Sequence, residues 1–176
     1  MGKRLVLVDH EKCTGCMACV EACSLTHESK CSYRRSRIII EKDEVNAVFV
    51  PLLCEMCEAH CMYVCPHDAI HFDTGLAMPI IDEEKCTGCL KCVKECPFHG
   101  INFDSKNKKA LKCDLCGGDP LCVKVCDPKA LVAIEPKGDL LLKKYENACC
   151  KVRVYEEAIE PNKKAFRKTL KTAEVS

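Results

Sequence analysis

The sequence predicts an α+β chain that folds around metal and uses one unit twice, and three observations carry that expectation. Nineteen of the 176 residues are cysteine, and sixteen of them fall into four spaced groups. The first and third groups lie in closely similar stretches, and short apolar runs bounded by turn residues separate the groups. Aromatic content is 5%, with no Trp, which leaves little large apolar surface for a conventional core. Bound metal is therefore expected to organise the fold, and the apoprotein to be largely unfolded.

Cysteine at this density means a disulfide scaffold or metal ligation, and the compartment decides between them. The opening MGKRLVLVDHEK contains one apolar run, residues 5–8, too short for the core of a secretory signal and without a twin-arginine leader. A cytoplasmic location is expected, where regularly spaced cysteines read as metal ligands. No stretch approaches the roughly 20 apolar residues that span a bilayer, so no direct membrane insertion is expected. The net charge of +1, with no basic patch interleaved with aromatics, argues against nucleic acid as a partner.

Cys13, Cys16, Cys19 and Cys23 follow the order C-x2-C-x2-C-x3-C of bacterial iron–sulfur proteins. Group two is Cys54, Cys57, Cys61 and Cys65, followed by Pro66. Group three, Cys86, Cys89, Cys92 and Cys96 followed by Pro97, repeats the spacing of group one. Group four, Cys113, Cys116, Cys122 and Cys126, widens its middle gap through residues 117–121. Cysteines two residues apart on a tight loop can each point a thiolate at one corner of a cubane. The intervening residues must be small, as Thr14, Gly15, Thr87 and Gly88 are, since glycine permits positive φ and lets amide N–H groups face sulfur. The fourth cysteine is expected to open a short helix that carries it away from its own loop, with the following proline turning the chain.

Residues 9–23 (DHEKCTGCMACVEAC) match residues 82–96 (DEEKCTGCLKCVKEC) at ten of fifteen positions, so groups one and two look like a module duplicated as three and four. Hairpins are expected from residues 38–40 and 45–50 around Lys42-Asp43, from 69–72 and 78–81 around Thr74-Gly75, and from 101–103 and 109–111 around 105–108. A further apolar run, 131–134, follows group four.

On these motifs the chain resembles the four-cluster ferredoxin-like subunits of dimethyl sulfoxide reductases and formate dehydrogenases. In size it is more similar to the iron–sulfur proteins that serve carbon monoxide dehydrogenases and tungsten aldehyde oxidoreductases. The resemblance covers about residues 3 to 135. It implies two interlocked bacterial-ferredoxin-like domains, 1–50 with 105–136 and 51–104, followed by a C-terminal helical extension, 137–176. It also implies four [4Fe-4S] clusters, held by Cys13, Cys16, Cys19 and Cys126; by Cys113, Cys116, Cys122 and Cys23; by Cys54, Cys57, Cys61 and Cys96; and by Cys86, Cys89, Cys92 and Cys65. The function implied is single-electron relay, with no catalytic residue on this chain. The partners would be a large catalytic oxidoreductase subunit and, as second redox partner, a flavin- or NAD-binding subunit or a ferredoxin. Two departures, Ser24 where a proline is usual and Asp127 delaying it to Pro128, put the turn geometry of groups one and four in question.

A free-standing polyferredoxin is the alternative, and a zinc-ribbon protein a weaker one, because ribbons pair cysteines two plus two and these groups run three plus one. No P-loop or G-x-G-x-x-G is present to bind a nucleotide. His67 and His99 are expected to be hydrogen-bonding or surface residues, and His10, His27, His60 and His71 show no partner pattern. Cys149 and Cys150, in a segment that reads as helical over 140–158, are expected to be small buried apolar residues, and Cys31 is not expected to ligate. The basic residues Lys163, Lys164, Arg167, Lys168 and Lys171 are expected along a short helix after Pro161. They would form a solvated face or, by resemblance, a docking tail for an acidic enzyme subunit.

Overall fold

The computed structural model describes residues 4–57, 60–135 and 138–161. Its strands are β1 (Leu5–Val8), β2 (Ile39–Asp43), β3 (Val48–Leu52), β4 (Ile70–Asp73), β5 (Met78–Ile81), β6 (Ile101–Asp104), β7 (Lys109–Lys112) and β8 (Leu131–Ile134). They pair as four antiparallel ribbons: β2 with β3, β4 with β5, β6 with β7, and β1 with β8 in the register Leu5↔Ile134 to Val8↔Leu131. The mixture of helices and small hairpins is the α+β class that the sequence predicts.

One device closes all three local hairpins. The last residue of the first strand is an aspartate whose carboxylate accepts the backbone N–H three residues on: Asp43 from Asn46 at 3.2 Å, Asp73 from Leu76 at 2.8 Å and Asp104 from Asn107 at 3.3 Å. The residue before the second strand then turns left-handed, at Ala47, Ala77 and Lys108. The first turn therefore spans residues 44–47, not Lys42-Asp43. Val45, read as strand from its side chain, sits in the turn 94% exposed, because the Asp43 cap outweighs the weak β-preference of one valine.

The helices are α1 (Ala18–Glu28), α2 (His60–Tyr63), α3 (Lys91–Lys94), α4 (Leu121–Lys124) and α5 (Gly138–Val154), which continues as a π-helical turn, Tyr155–Ile159. In α2, α3 and α4 the third cysteine of a group lies in the single helical turn and the fourth follows it, which corrects the expectation that the fourth opens the helix. At groups one and three the helix starts earlier because Met17 and Leu90, directly before it, adopt left-handed φ values of +67° and +64°.

The cysteines pack into the apolar clusters. One cluster joins Val6, Val8, Val20, Ile38, Leu53, Met78, Leu115 and Leu131 with Cys19 and Cys23 of group one, Cys113, Cys122 and Cys126 of group four, and Cys54. A second joins Ile70, Ile101 and Ala110 with Cys61 and Cys92, and a third joins Val50 and Leu52 with Ile159 beyond α5. Among the described residues, no helix is long and apolar enough to cross a membrane.

The helical reading of the segment after residue 137 holds for the described residues, but its faces are reversed. Cys149 and Cys150 are exposed, not buried, as is Cys31. The buried stripe of α5 is Lys144, Ala148 and Lys151, with Asn147 half-buried beside it, because polar partners wait there. The basic run from Lys163 to Lys171 lies outside the described residues.

Candidate metal centres

Three cavities each gather four cysteines, three from one group and one from another. Cys13, Cys16, Cys19 and Cys126 line the first, against Met17, Ile40, Pro51 and Leu131. Cys54, Cys57, Cys61 and Cys96 line the second, with Pro79, Ile101 and Lys112. Cys65, Cys86, Cys89 and Cys92 line the third, with Ile70, Ile81 and Ala110. The remaining four, Cys23, Cys113, Cys116 and Cys122, come from α1 and the segment around α4. Burial raises the thiol pKa of Cys122 most, and Cys116 and Cys23 lie near enough for their charge to add to the rise; burial likewise raises Cys113, with Cys54 and Cys122 adding to it.

Backbone geometry makes the loops. Gly15 and Gly88 hold φ values of +68° and +72°, as their places in C-T-G-C demand. A side chain at Gly88 would also meet the Lys108 carbonyl oxygen at 2.1 Å, so the group-three loop lies directly on the β6–β7 hairpin.

Backbone N–H groups aim at the fourth-cysteine sulfurs. Ala69 N donates to Cys65 Sγ, Gly100 N to Cys96 Sγ and Leu131 N to Cys126 Sγ, each at 3.4 Å. In each case the chain turns through a left-handed residue three positions past the cysteine, at Asp68, His99 and Lys129. Group four differs after that turn: its donor is five residues past the cysteine, where the others are four.

Burial first, then neighbouring sulfurs, push Cys19 up to about 12 and Cys92 to about 11. Burial likewise takes Cys61 to about 12, with Lys112 opposing and the neighbouring cysteines adding to the rise. As free thiols these groups hold their protons at neutral pH. Four sulfurs on one apolar-walled cavity become thiolates together only with a strong cationic centre among them. A soft, all-sulfur donor set with N–H groups facing it fits an iron–sulfur cluster, which would supply one-electron redox chemistry when bound.

Cys23 is the exception. Burial raises it, but hydrogen bonds from His27, Arg37 N and Ser36 outweigh that and bring it below the ordinary thiol range. His27 corrects the expectation that it has no partner. Its Nε2 lies 2.9 and 3.0 Å from the two oxygens of Asp114, and its Nδ1 lies 2.8 Å from the Cys23 carbonyl oxygen and 4.0 Å from Cys23 Sγ. The Asp114 bond, followed by Cys23, pushes His27 up to about 10. Its placement four residues after Cys23 on α1, one helical turn along, was the available signal. His99 meets its expectation, tilted against Tyr155 with centroids 5.0 Å apart and Nε2 3.5 Å from Glu156 Oε1. His67 is exposed on the rim of the third cavity, and His60 borders the second.

Folded around such sulfur-lined cavities, the chain belongs to the 4Fe-4S dicluster family of ferredoxin-like electron-transfer proteins. The family's "4Fe-4S dicluster domain" matches residues 45–135, and a "4Fe-4S binding domain" matches residues 4–25. Among its relatives is the polyferredoxin-like subunit of an aliphatic sulfonate oxidoreductase from Pyrococcus furiosus, 34% identical over 69% of this chain and 70% of that one. An uncharacterised ferredoxin of Methanocaldococcus jannaschii is 33% identical over 91% of this chain and 99% of its own length. The thiosulfate reductase electron transfer subunit of Salmonella typhi is 34% identical over 72% of this chain and 73% of its own.

Proposed function

We propose that this chain is an electron relay carrying four [4Fe-4S] clusters in two interlocked ferredoxin-like units, 1–50 with 105–136 and 51–104. It passes single electrons between a large catalytic oxidoreductase subunit and a second carrier. The ligand sets are Cys13, Cys16, Cys19 with Cys126; Cys113, Cys116, Cys122 with Cys23; Cys54, Cys57, Cys61 with Cys96; and Cys86, Cys89, Cys92 with Cys65. The observation that carries the reading is the convergence of three cysteines of one group and one of another on a single apolar-walled cavity, three times over.

The chain's own residues bind each cluster through thiolates, set its potential through N–H donors and nearby charge, and exclude water with apolar walls. Cys16 and Cys89 are the exposed members of their sets and mark where electrons enter or leave. No substrate is transformed on this chain. The sulfonate oxidoreductase and thiosulfate reductase relatives support a dedicated catalytic oxidoreductase partner; the tungsten or molybdenum pterin or carbon monoxide dehydrogenase class proposed for it rests on the resemblance of the cysteine motifs alone. The second carrier is a flavin- or NAD-binding subunit or a ferredoxin.

Anaerobically purified protein is expected to hold about sixteen iron and about sixteen acid-labile sulfide, four of each per cubane. It is also expected to copurify with a larger subunit. About twelve iron would remove one cluster from the scheme, and zinc in place of iron would sink it. A chain isolated alone and soluble from its source cells would favour a free polyferredoxin.

A further inference from the structure

Outside the cysteine sets lies a buried cluster of three charges. Glu55, Lys144 and Lys151 are 3%, 1% and 0% exposed. Lys144 Nζ donates to the Glu55 carbonyl at 2.7 Å and to its Oε2 at 2.5 Å, and Lys151 Nζ donates to Oε1. Glu55 lies between Cys54 and Cys57 and borders the cavity that those two share with Cys61 and Cys96. The lysines are two turns apart on one face of α5, and between them Asn147 donates to the Val8 carbonyl at 3.1 Å.

A charge removed from water is costly unless it is paired. One carboxylate balances one ammonium, so this cluster holds a positive charge in excess. Lys112, also buried, adds an ammonium at the same cavity, and its partners are the uncharged carbonyls of Pro79 and Cys113. Among the described residues, the walls of the other two cavities include no lysine or arginine. A net negative occupant beside Glu55 supplies the missing counter-charge. A cluster bound by four thiolates is such an occupant, and reduction makes it more negative.

We propose that Lys144 and Lys151 are positioning residues for the group held by Cys54, Cys57, Cys61 and Cys96: they fasten its ligand loop to α5 and raise its reduction potential. The inference rests on the relay reading above. Burial lowers the pKa of Lys151, with Lys144 adding to the fall and Glu55 and Cys54 opposing it, and a negative occupant would act on the same side as Glu55. The segment outside the repeat then becomes part of the relay.

The test is a redox titration of the anaerobically purified full chain followed by electron paramagnetic resonance, the signal of this site being the one lost in Cys61→Ala. Lys151→Met is expected to shift that signal to lower potential with iron content unchanged, because Lys144 still pairs Glu55. Glu55→Gln is expected to shift it to higher potential, because two ammonium groups then face no carboxylate. A clamp acting only on structure gives no such pair of opposite shifts. Unchanged potentials in both variants, or shifts of the same sign, overturn the proposal. Should Lys151→Met lose iron, Lys151→Arg decides: retained iron and potential uphold the charge, and loss there too overturns it. Wild-type protein with no cluster resonance at all sinks the relay reading, whereas resonances present but unmoved sink this inference alone.

Discussion

The stretch bearing cysteine groups two and three and the segment bearing group one solve one local problem in different ways: what donates to the sulfur of the last cysteine. In groups two and three, proline turns the chain and the N–H four residues on reaches back, from Ala69 and Gly100. In group one there is no proline, α1 runs on to Glu28, and the donor to Cys23 is Arg37 N at 3.3 Å, fourteen residues away. Ser24 makes the detour workable. It is fully buried, and its Oγ donates to the Glu21 carbonyl and accepts Ser32 N, each at 3.0 Å, which folds the return loop onto the helix. The departure from the usual proline is thus a different closure. It brings His27 to Cys23 as a second polar neighbour, which the proline turns lack. A local turn and a long loop can serve the same sulfur, and only the local one is written in adjacent residues.

The largest test of this contrast concerns wiring. In a Cys23→Ala, Cys116→Ala double variant, the interlocked scheme removes one cluster, about four iron, whereas ligation within each group would impair two, about eight. Iron analysis separates the outcomes, and loss of about eight with the other sites still loaded would refute the scheme.

Next is Gly100→Ala. A methyl there would meet the Leu53 carbonyl oxygen at 2.3 Å and Cys54 N at 2.8 Å, both backbone atoms that cannot give way. The expected cost is about 3 kcal/mol or more, with loss of iron from the second site. Gly117→Ala has nothing within 4 Å but a φ of +68°, and is expected to cost only about 1–2 kcal/mol. Thermal midpoints of the loaded proteins that fail to differ would mean that the group-three turn tolerates displacement.

Restoring the usual proline should harm. Ser24→Pro places a ring inside α1 and deletes the Oγ contacts, for about 3 kcal/mol. The reverse change in the regular half, Pro97→Ser, is expected to cost about 0.5–1 kcal/mol, through the unfolded chain. A Ser24→Pro protein as stable as wild type would show that α1 need not continue past Cys23.

The smallest expected effect is on loading. Cys61, Cys92, Cys19 and Cys122 are held up at about 11 to 12, while Cys23 is lowered. Ligation needs thiolates, so uptake of iron and sulfide releases protons and should be more complete at about pH 8.5 than at about pH 6.5. In the metal-free chain the sign is opposite. Raised thiols favour the fold below their unfolded pKa and lose that contribution as pH climbs toward 12. Proton release measured during reconstitution checks the first statement, and a pH-independent uptake would contradict it.

What the sequence made legible was whatever repeats or lies close along the chain. The spacing of the cysteines, the glycines at positive φ and two of three hairpin turns follow from local rules that act within five residues or so. The misses share a cause. Asp43 caps a turn that Val45 seemed to forbid, and β1 pairs with a strand more than 120 residues later. Lys144 and Lys151 turn inward because Glu55 waits there, leaving Cys149 and Cys150 outside. The polarity of a side chain indicates its preferred surroundings, but the partner that overrides that preference came from a distant part of the chain. His27 belongs to the same class, since its carboxylate, Asp114, lies 87 positions away.

The β1–β8 ribbon also imposes an order in time. During synthesis the hairpins β2–β3, β4–β5 and β6–β7 can each close as soon as a dozen or so residues have emerged. The strand at residues 5–8 must wait until residues 131–134 have left the ribosome, at the largest loop-closure cost of the four ribbons. Of the four ribbons, the one whose first strand is made earliest is therefore the last to close. The thiols that follow that strand, Cys13, Cys16 and Cys19, spend most of translation without the neighbour that β8 brings beside them, which is the interval in which an iron–sulfur delivery system would have to shield them.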